Sequence, residues 1–205
     1  NGTPLDIDTF CTPCTEGKVP VNILYLNTIQ DDAQKQYLVQ EIARELYDWM
    51  LTQQPAEGEL KLLFFMDEVA PYLPPVRNPP AKELIKLIFK QARKYGVACV
   101  LATQNVSDVD YKILAQANTT FIGRFTLPQD IDKVKHLLKE SGGDLELIKE
   151  LPNLGPGQFQ LVSPDVDTKP IPIQCRWLYT DHGAPLSEDQ VEKITSDEIR
   201  EWASG

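Results

Sequence analysis

Apolar positions in this chain fall into short continuous runs, separated by longer stretches in which apolar residues recur every three or four positions. The run LLFFM, Leu62 to Met66, is rich in Phe and Leu and too short for a helix. It reads as a strand buried on both faces of a parallel sheet. VNILYLN (Val21 to Asn27) and VACVLAT (Val97 to Thr103) read the same way, and TTFIGRF (Thr119 to Phe125) supplies a fourth strand. Between the first two strands, Leu38, Ile42, Leu46 and Met50, with Tyr47 and Trp49 beside them, form a helical stripe. Asp31 or Asp32 caps that helix, which fades near Gln53 to Pro55. Leu84, Ile85, Ile88, Ala92 and Tyr95 define a helix over 81–95, with Gly96 placed to end it. Strand, helix, strand, twice over, predicts right-handed βαβ units.

After Ala117 the pattern changes. A short helix near Val109 to Ala117 precedes the fourth strand, and Pro128 opens a helix with Ile131, Val134, Leu137 and Leu138 inward. Gly142-Gly143 breaks it, and Leu145, Ile148 and Leu151 suggest one more short helix. Gly155 and Gly157 turn into GQFQLVS, which pairs antiparallel with PIPIQCRWLYT (Pro170 to Thr180) across the polar loop 163–169. Ser187 to Ala203 reads as an amphipathic helix with Val191, Ile194, Ile199 and Trp202 inward. One stretch resists any regular element: APYLPPVRNPP, residues 70–80, whose five prolines make a stiff loop. The expected organisation is one α/β domain over 1–205: a loop at 1–20, a βαβ core at 21–125, and C-terminal helices with a hairpin at 126–205.

The chemistry gathers at the ends of two runs. LLFFM passes straight into Asp67 and Glu68, and VACVLAT ends at Gln104. Open α/β sheets place ligands outside the carboxyl ends of their strands, so these side chains are expected at one rim. There one carboxylate can hold Mg2+ while its neighbour polarises a water, the division of labour that phosphoanhydride hydrolysis needs. The plainer alternative is a buried strand that ends in solvated acids.

Composition adds limits. The chain has 205 residues, 42% of them hydrophobic and 24% charged, which is ordinary for a globular protein. No apolar run approaches the ~18 residues of a membrane span, and no signal-peptide pattern opens the chain, so the cytoplasm is expected. Asn1 is not an initiator Met, which suggests a processed or excised piece. A net charge of −10 argues against whole-surface attraction to nucleic acid. The clearest local basic cluster, Lys82, Lys86, Lys90, Arg93 and Lys94, reads as a solvated helix face. Cys99 and Cys175 sit in apolar runs that suit buried thiols. Cys11 and Cys14 form a single CxxC with no second pair, and His136 and His182 lack ligand spacing, so neither zinc nor redox chemistry is expected. Gly17-Lys18 is followed by Val19, and G-x-x-x-x-G-K-[ST] occurs nowhere in the chain. Gly17-Lys18 reads as a turn.

LLFFMDE at 62–68, QARKYGVACVLATQ at 91–104, NTTFIGR at 118–124 and LGPGQFQLV at 154–162, in this order, resemble the C-terminal half of a HerA/FtsK-type P-loop ATPase. The resemblance covers roughly residues 20–180. It implies a RecA-like core: a mostly parallel sheet with flanking helices, closed by a C-terminal β-hairpin and helix. It also implies ATP and Mg2+ as cofactors, a homo-oligomer (a hexamer in such motors), and DNA moved through central pore loops, often beside a nuclease. Carried over residue by residue, Asp67 matches the Walker B acid that supports the Mg2+ shell through water. Glu68 matches the base that orients the attacking water, and Gln104 a polar sensor of the γ-phosphate. Arg93 resembles the arginine finger projected into a neighbouring site, and Arg124 is a second candidate; a surface ion pair remains open for each. Lys112 and the segment 105–111 are candidate pore-loop residues. The departure is the phosphate-binding loop, which in the family lies on an upstream strand between the sensor strand and the next. This chain is therefore expected to lack a central strand and to leave two unpaired edges. Two other readings stay open: a conjugation- or secretion-type pumping ATPase, and a degenerate half kept as an assembly scaffold.

Overall fold

The structure, a computed structural model, describes residues 6–12, 16–140, 145–180, 183–184, 186–197 and 200–201. Cys14, His182, the Gly142-Gly143 break and the predicted inward positions Ile199 and Trp202 lie outside the described residues.

After a short α1 (Ile7–Cys11), the first long element is α2 (Asp32–Thr52). Asp31 caps it, its carboxylate accepting the Gln34 N–H at 3.0 Å, and it ends at Gln53. The predicted stripe is largely present: Val39, Ile42, Ala43, Leu46 and Met50 are buried, with Leu38 half-buried at the margin. Val21 to Asn27, however, forms no strand. It runs without a ladder partner and leaves Val21, Ile23, Leu24 and Tyr25 exposed. Apolar side chains favour a strand only where another strand accepts the backbone hydrogen bonds, and none lies alongside among the described residues. The first predicted βαβ unit is therefore absent.

The second unit forms. β1 (Leu62–Met66) pairs parallel with β2 (Val97–Leu101), in register from Leu62 opposite Val97 to Met66 opposite Leu101. Between them run the proline-rich segment and α3 (Lys82–Gln91), which tightens into a 3-10 turn at Ala92–Tyr95 and stops at Gly96. Gly96 has φ 71°, and a Cβ there would lie 2.8 Å from the Glu59 carbonyl oxygen, so no other residue fits without a shift. Its own carbonyl accepts the Lys61 N–H at 2.7 Å and so starts the pairing of the two strands.

Both α2 and α3 pack on one face of this strand pair. Leu62, Phe64, Met66, Val97, Cys99 and Leu101 meet Leu46, Met50, Ile85 and Ile88 in a single core. The opposite face is bare: Leu63 is 58% exposed, Phe65 59% and Val100 40%. The expectation of a strand buried on both faces fails here. A period-2 chain sends alternate side chains to opposite faces, and among the described residues only one face has a covering layer. Burial pushes the Cys99 thiol on the covered side up to about 12, so it stays protonated and inert. Cys175, also expected to be buried, is exposed.

A second layer follows. α4 (Tyr111–Leu114) leads to β3 (Thr120–Ile122), which does not extend the parallel pair but joins an antiparallel sheet in the order β3, β4 (Gln158–Val162), β5 (Ile171–Gln174). The predicted hairpin is the β4–β5 pair. α5 (Pro128–Glu140) and α6 (Leu147–Glu150) cover this sheet, burying Val134, Leu138, Leu147 and Leu151 together with Ile122. α7 (Glu188–Ile194) is closed at its start by a Ser187–Gln190 capping box, but Ile194, expected inward, is exposed. The α/β class with flanking helices is borne out, with a parallel part of two strands. No helix among the described residues is long and apolar enough to cross a membrane.

One ion pair ties the start of α3 to the start of α4. Lys82, expected on a solvated face, is buried and meets the Asp110 carboxylate at 2.9 Å; Lys86, Lys90, Arg93 and Lys94 do reach the surface. Its Nζ also donates to the Pro74 carbonyl at 2.6 Å, and Asp110 receives the Lys112 N–H at 3.0 Å. Burial pushes the Asp110 carboxyl up, but the Lys82 bond and the Lys112 N–H more than offset it, and the group ionises below its ordinary range. A carboxyl whose folded value is depressed stabilises the fold fully above its unfolded value, near pH 4. That stabilisation is lost as pH falls through the folded value. The urea midpoint of the wild type should therefore drop more steeply below about pH 4 than that of Asp110→Asn. Parallel profiles for the two would remove Asp110 from the acid response.

Candidate functional site

The strand pair delivers Asp67, Glu68, Thr103 and Gln104 to one rim. Beyond the last paired residues, the Ala102 N–H bonds the Met66 carbonyl at 2.9 Å and the Val69 N–H bonds the Ala102 carbonyl at 3.1 Å. These two bonds bracket Asp67 and Glu68, while the fully buried Val69 and Leu73 pin the chain that follows. Asp67 is exposed and Glu68 half-buried. Asp67 Oδ1 accepts the Glu68 N–H at 3.0 Å, leaving Oδ2 without a hydrogen bond among the described residues.

Glu68 has φ 48°, the one non-glycine residue with a positive φ among those described. Side chains other than glycine, Asn and Asp rarely adopt this left-handed region, and strain of this kind concentrates at functional sites. The neighbouring strand reaches the same carboxylate: Thr103 Oγ1 lies 3.5 Å from Glu68 Oε1. Gln104, next along, is exposed, and its side chain makes no hydrogen bond among the described residues.

An open cleft of about 410 Å³ is lined by Glu68, Asn105 and Asp108 and by Pro71, Pro74, Pro75, Val76 and Arg77 of the proline-rich segment. Lys82 holds that segment in place through the Pro74 carbonyl, and Asp110 does the same from the other side by donating its N–H to Leu73 at 2.8 Å. No group of three or more His, Cys, Asp or Glu side chains able to hold a metal occurs among the described residues. The rim is thus no all-protein cage. Its donor set, one exposed carboxylate with a free oxygen, suits a hard cation such as Mg2+ that keeps most of its waters.

The two predicted arginines stand apart from the acids. Arg93 lies in the 3-10 turn before β2, at the opposite end of that strand from Gln104, across five strand residues or roughly 16 Å. It lines a shallow depression of about 540 Å³ with Lys90, Gln91 and Lys94. Arg124 is exposed beyond β3 in the second sheet. Neither makes an ion pair among the described residues. Lys112 is exposed on α4.

Sequence reading missed Thr103, Arg77 and the Lys82–Asp110 pair. Lys82 carried a usable signal, since it shares the helical stripe of Ile85, Ile88 and Ala92, where a lysine must find a buried partner. Thr103 carried none, because its partner Glu68 is 35 positions away in sequence.

No protein-family model matches the chain. Over 101 residues it is 28% identical to the probable DNA double-strand break repair helicase HerA of Methanocaldococcus jannaschii, covering 49% of this chain and 20% of HerA. The chain therefore spans about a fifth of that relative's length. Among solved structures it resembles VirB4 of Thermoanaerobacter pseudethanolicus with a TM-score of 0.56 and 16% identity, over 74% of this chain and 40% of VirB4. The genome packaging NTPase B204 of Sulfolobus turreted icosahedral virus 2, in complex with ATP-gammaS, aligns with a TM-score of 0.49 and 16% identity, over 78% of this chain and 71% of its own. In sequence the chain resembles HerA over about half of its length, and its α/β fold is similar to that of VirB4.

The left-handed backbone of Glu68 gives a direct test. Glu68→Gly should raise unfolding stability by about 1 kcal/mol in urea titrations, because glycine adopts this conformation without a Cβ penalty. A loss of stability would mean that the Glu68 side chain contributes more to the fold than its backbone costs.

Proposed function

We propose that this chain, which resembles HerA-type P-loop ATPases in sequence and fold, is the Walker B and sensor half of an ATP-hydrolysing DNA translocase. The observation that carries the reading is the in-register parallel pairing of β1 with β2, which brings Asp67-Glu68 and Gln104 to one rim. In this reading Asp67 supports the Mg2+ shell through water, and Mg2+ neutralises the developing phosphate charge. Glu68, next to it and beside the end of β2, accepts the proton of the attacking water. Gln104 contacts the γ-phosphate or that water. Little covalent chemistry is asked of the protein, so placement of these groups supplies most of the rate.

Arg93 is the arginine finger in this proposal. Its place at the far end of β2 prevents it from serving the acids of its own chain, but suits a role in the site of an adjacent subunit. That geometry asks for a ring, taken as a hexamer. Arg124 is the second choice. DNA contacts fall to the rim loops, 105–111 with Lys112, because the net charge of −10 leaves no general attraction for phosphate.

The phosphate-binding loop is assigned to sequence upstream of Asn1. Support comes from the sheet: β2 pairs only with β1 and β3 only with β4 among the described residues, and the Leu63, Phe65 and Val100 face is bare. An apolar strand between β2 and β3, followed by a helix, would fill both the edges and the face.

Two measurements test this. In a protein that includes the upstream loop, Glu68→Gln should lower kcat for ATP by about a hundredfold or more while leaving nucleotide affinity within a few-fold; unchanged turnover sinks the motor reading. The 205 residues alone should show no ATP binding by calorimetry, and micromolar affinity would remove the need for an upstream phosphate cradle.

A further inference from the structure

Among the described residues, the Glu68 carboxylate has one hydrogen-bond donor, the Thr103 hydroxyl, at 3.5 Å. That hydroxyl is also engaged with the loop after β2. It accepts the Asn105 N–H at 3.2 Å and lies 3.3 Å from the Asn105 carbonyl oxygen. A hydroxyl has one proton, so the Asn105 carbonyl and the Glu68 carboxylate compete for it. Both distances are long for an O–H···O bond, whose usual value is about 2.7–2.8 Å. The backbone on both sides is fixed. Val69 N–H to Ala102 O anchors the acids, while Ser107 N–H to Asp130 Oδ1 at 3.0 Å and Asp110 N–H to Leu73 O anchor the loop further on. The Asn105 carbonyl also accepts the Asp108 N–H at 3.2 Å, so Asn105 moves together with the turn at Val106–Asp108, and Gln104 lies between that turn and the end of β2.

We propose that Thr103 is a positioning residue that couples this loop to Glu68. A shift of Asn105 away from the Thr103 hydroxyl hands the proton to Glu68 Oε1 and draws that carboxylate toward β2. The orientation of Glu68 is thereby tied to the loop that bears Gln104. Hydrogen bonds of this kind are often long without a ligand and tighten when the reacting complex forms. The inference rests on the reading of Glu68 as the water-orienting base.

The test uses full-length protein with its phosphate loop and follows steady-state ATP hydrolysis. Thr103→Val keeps the shape and the strand preference but removes the donor; Thr103→Ala serves as a second version if valine disturbs packing. Either should lower kcat about tenfold and leave KM within about twofold, and Thr103→Ser should recover most of the rate. In a Glu68→Gln background, adding Thr103→Val should change the residual rate by less than about twofold, because the hydroxyl acts through that carboxylate. Full turnover in Thr103→Val, a KM that rises in step with the lost rate, no recovery with serine, or an additive loss on Glu68→Gln would each overturn the proposal. The Glu68→Gln single variant separates the two ideas: unchanged turnover there overturns the functional reading itself.

Discussion

Five residues of β1 lie against five residues of β2 in parallel, and the placement of every candidate side chain depends on that register. A slip of one residue would turn Leu62, Phe64 and Met66 away from α2 and α3 and bring Leu63 and Phe65 into their place, so the packing of that core would have to be rebuilt. Once the register is set, two further backbone bonds extend it past the strand ends and leave Asp67 and Glu68 as a short excursion between them. The cost is a left-handed Glu68. The gain is a carboxylate facing the end of the neighbouring strand rather than open solvent.

Support for this rim comes from behind it. The proline-rich segment has few backbone donors and cannot join a sheet, so it needs side-chain anchors. Lys82 provides one by reaching from the start of α3 to the Pro74 carbonyl and to Asp110. A buried lysine with both a carboxylate and a carbonyl is satisfied and therefore tolerable, whereas either charge alone would be costly. The cleft beside Glu68 thus has walls held by an ion pair that takes no part in the proposed chemistry.

Legibility varied along the chain for identifiable reasons. α2, α3 and α5 could be read because their apolar stripes are local and period-specific, and caps such as Asp31 and Gly96 mark the ends. The β4–β5 hairpin was readable because its two strands adjoin in sequence. Val21 to Asn27 misled because composition reports strand preference and not the presence of a partner. The burial of Lys82 was discernible from its stripe, while the Thr103–Glu68 contact joins positions 35 apart in sequence and had no local trace.

By itself the sequence determined the helices α2, α3 and α5, the order of the strands from Leu62 onward, and the chemistry placed at the two run ends: adjacent acids after one apolar run, a glutamine after another. Those follow from side-chain periodicity and residue type, which are local properties. Tertiary structure decided which strands pair, which faces are covered and what stands beside each acid. It split the sheet between β2 and β3, left Leu63, Phe65 and Val100 in solvent, and set a hydroxyl against Glu68. Such outcomes depend on contacts between residues far apart in the chain, and no window of sequence carries them.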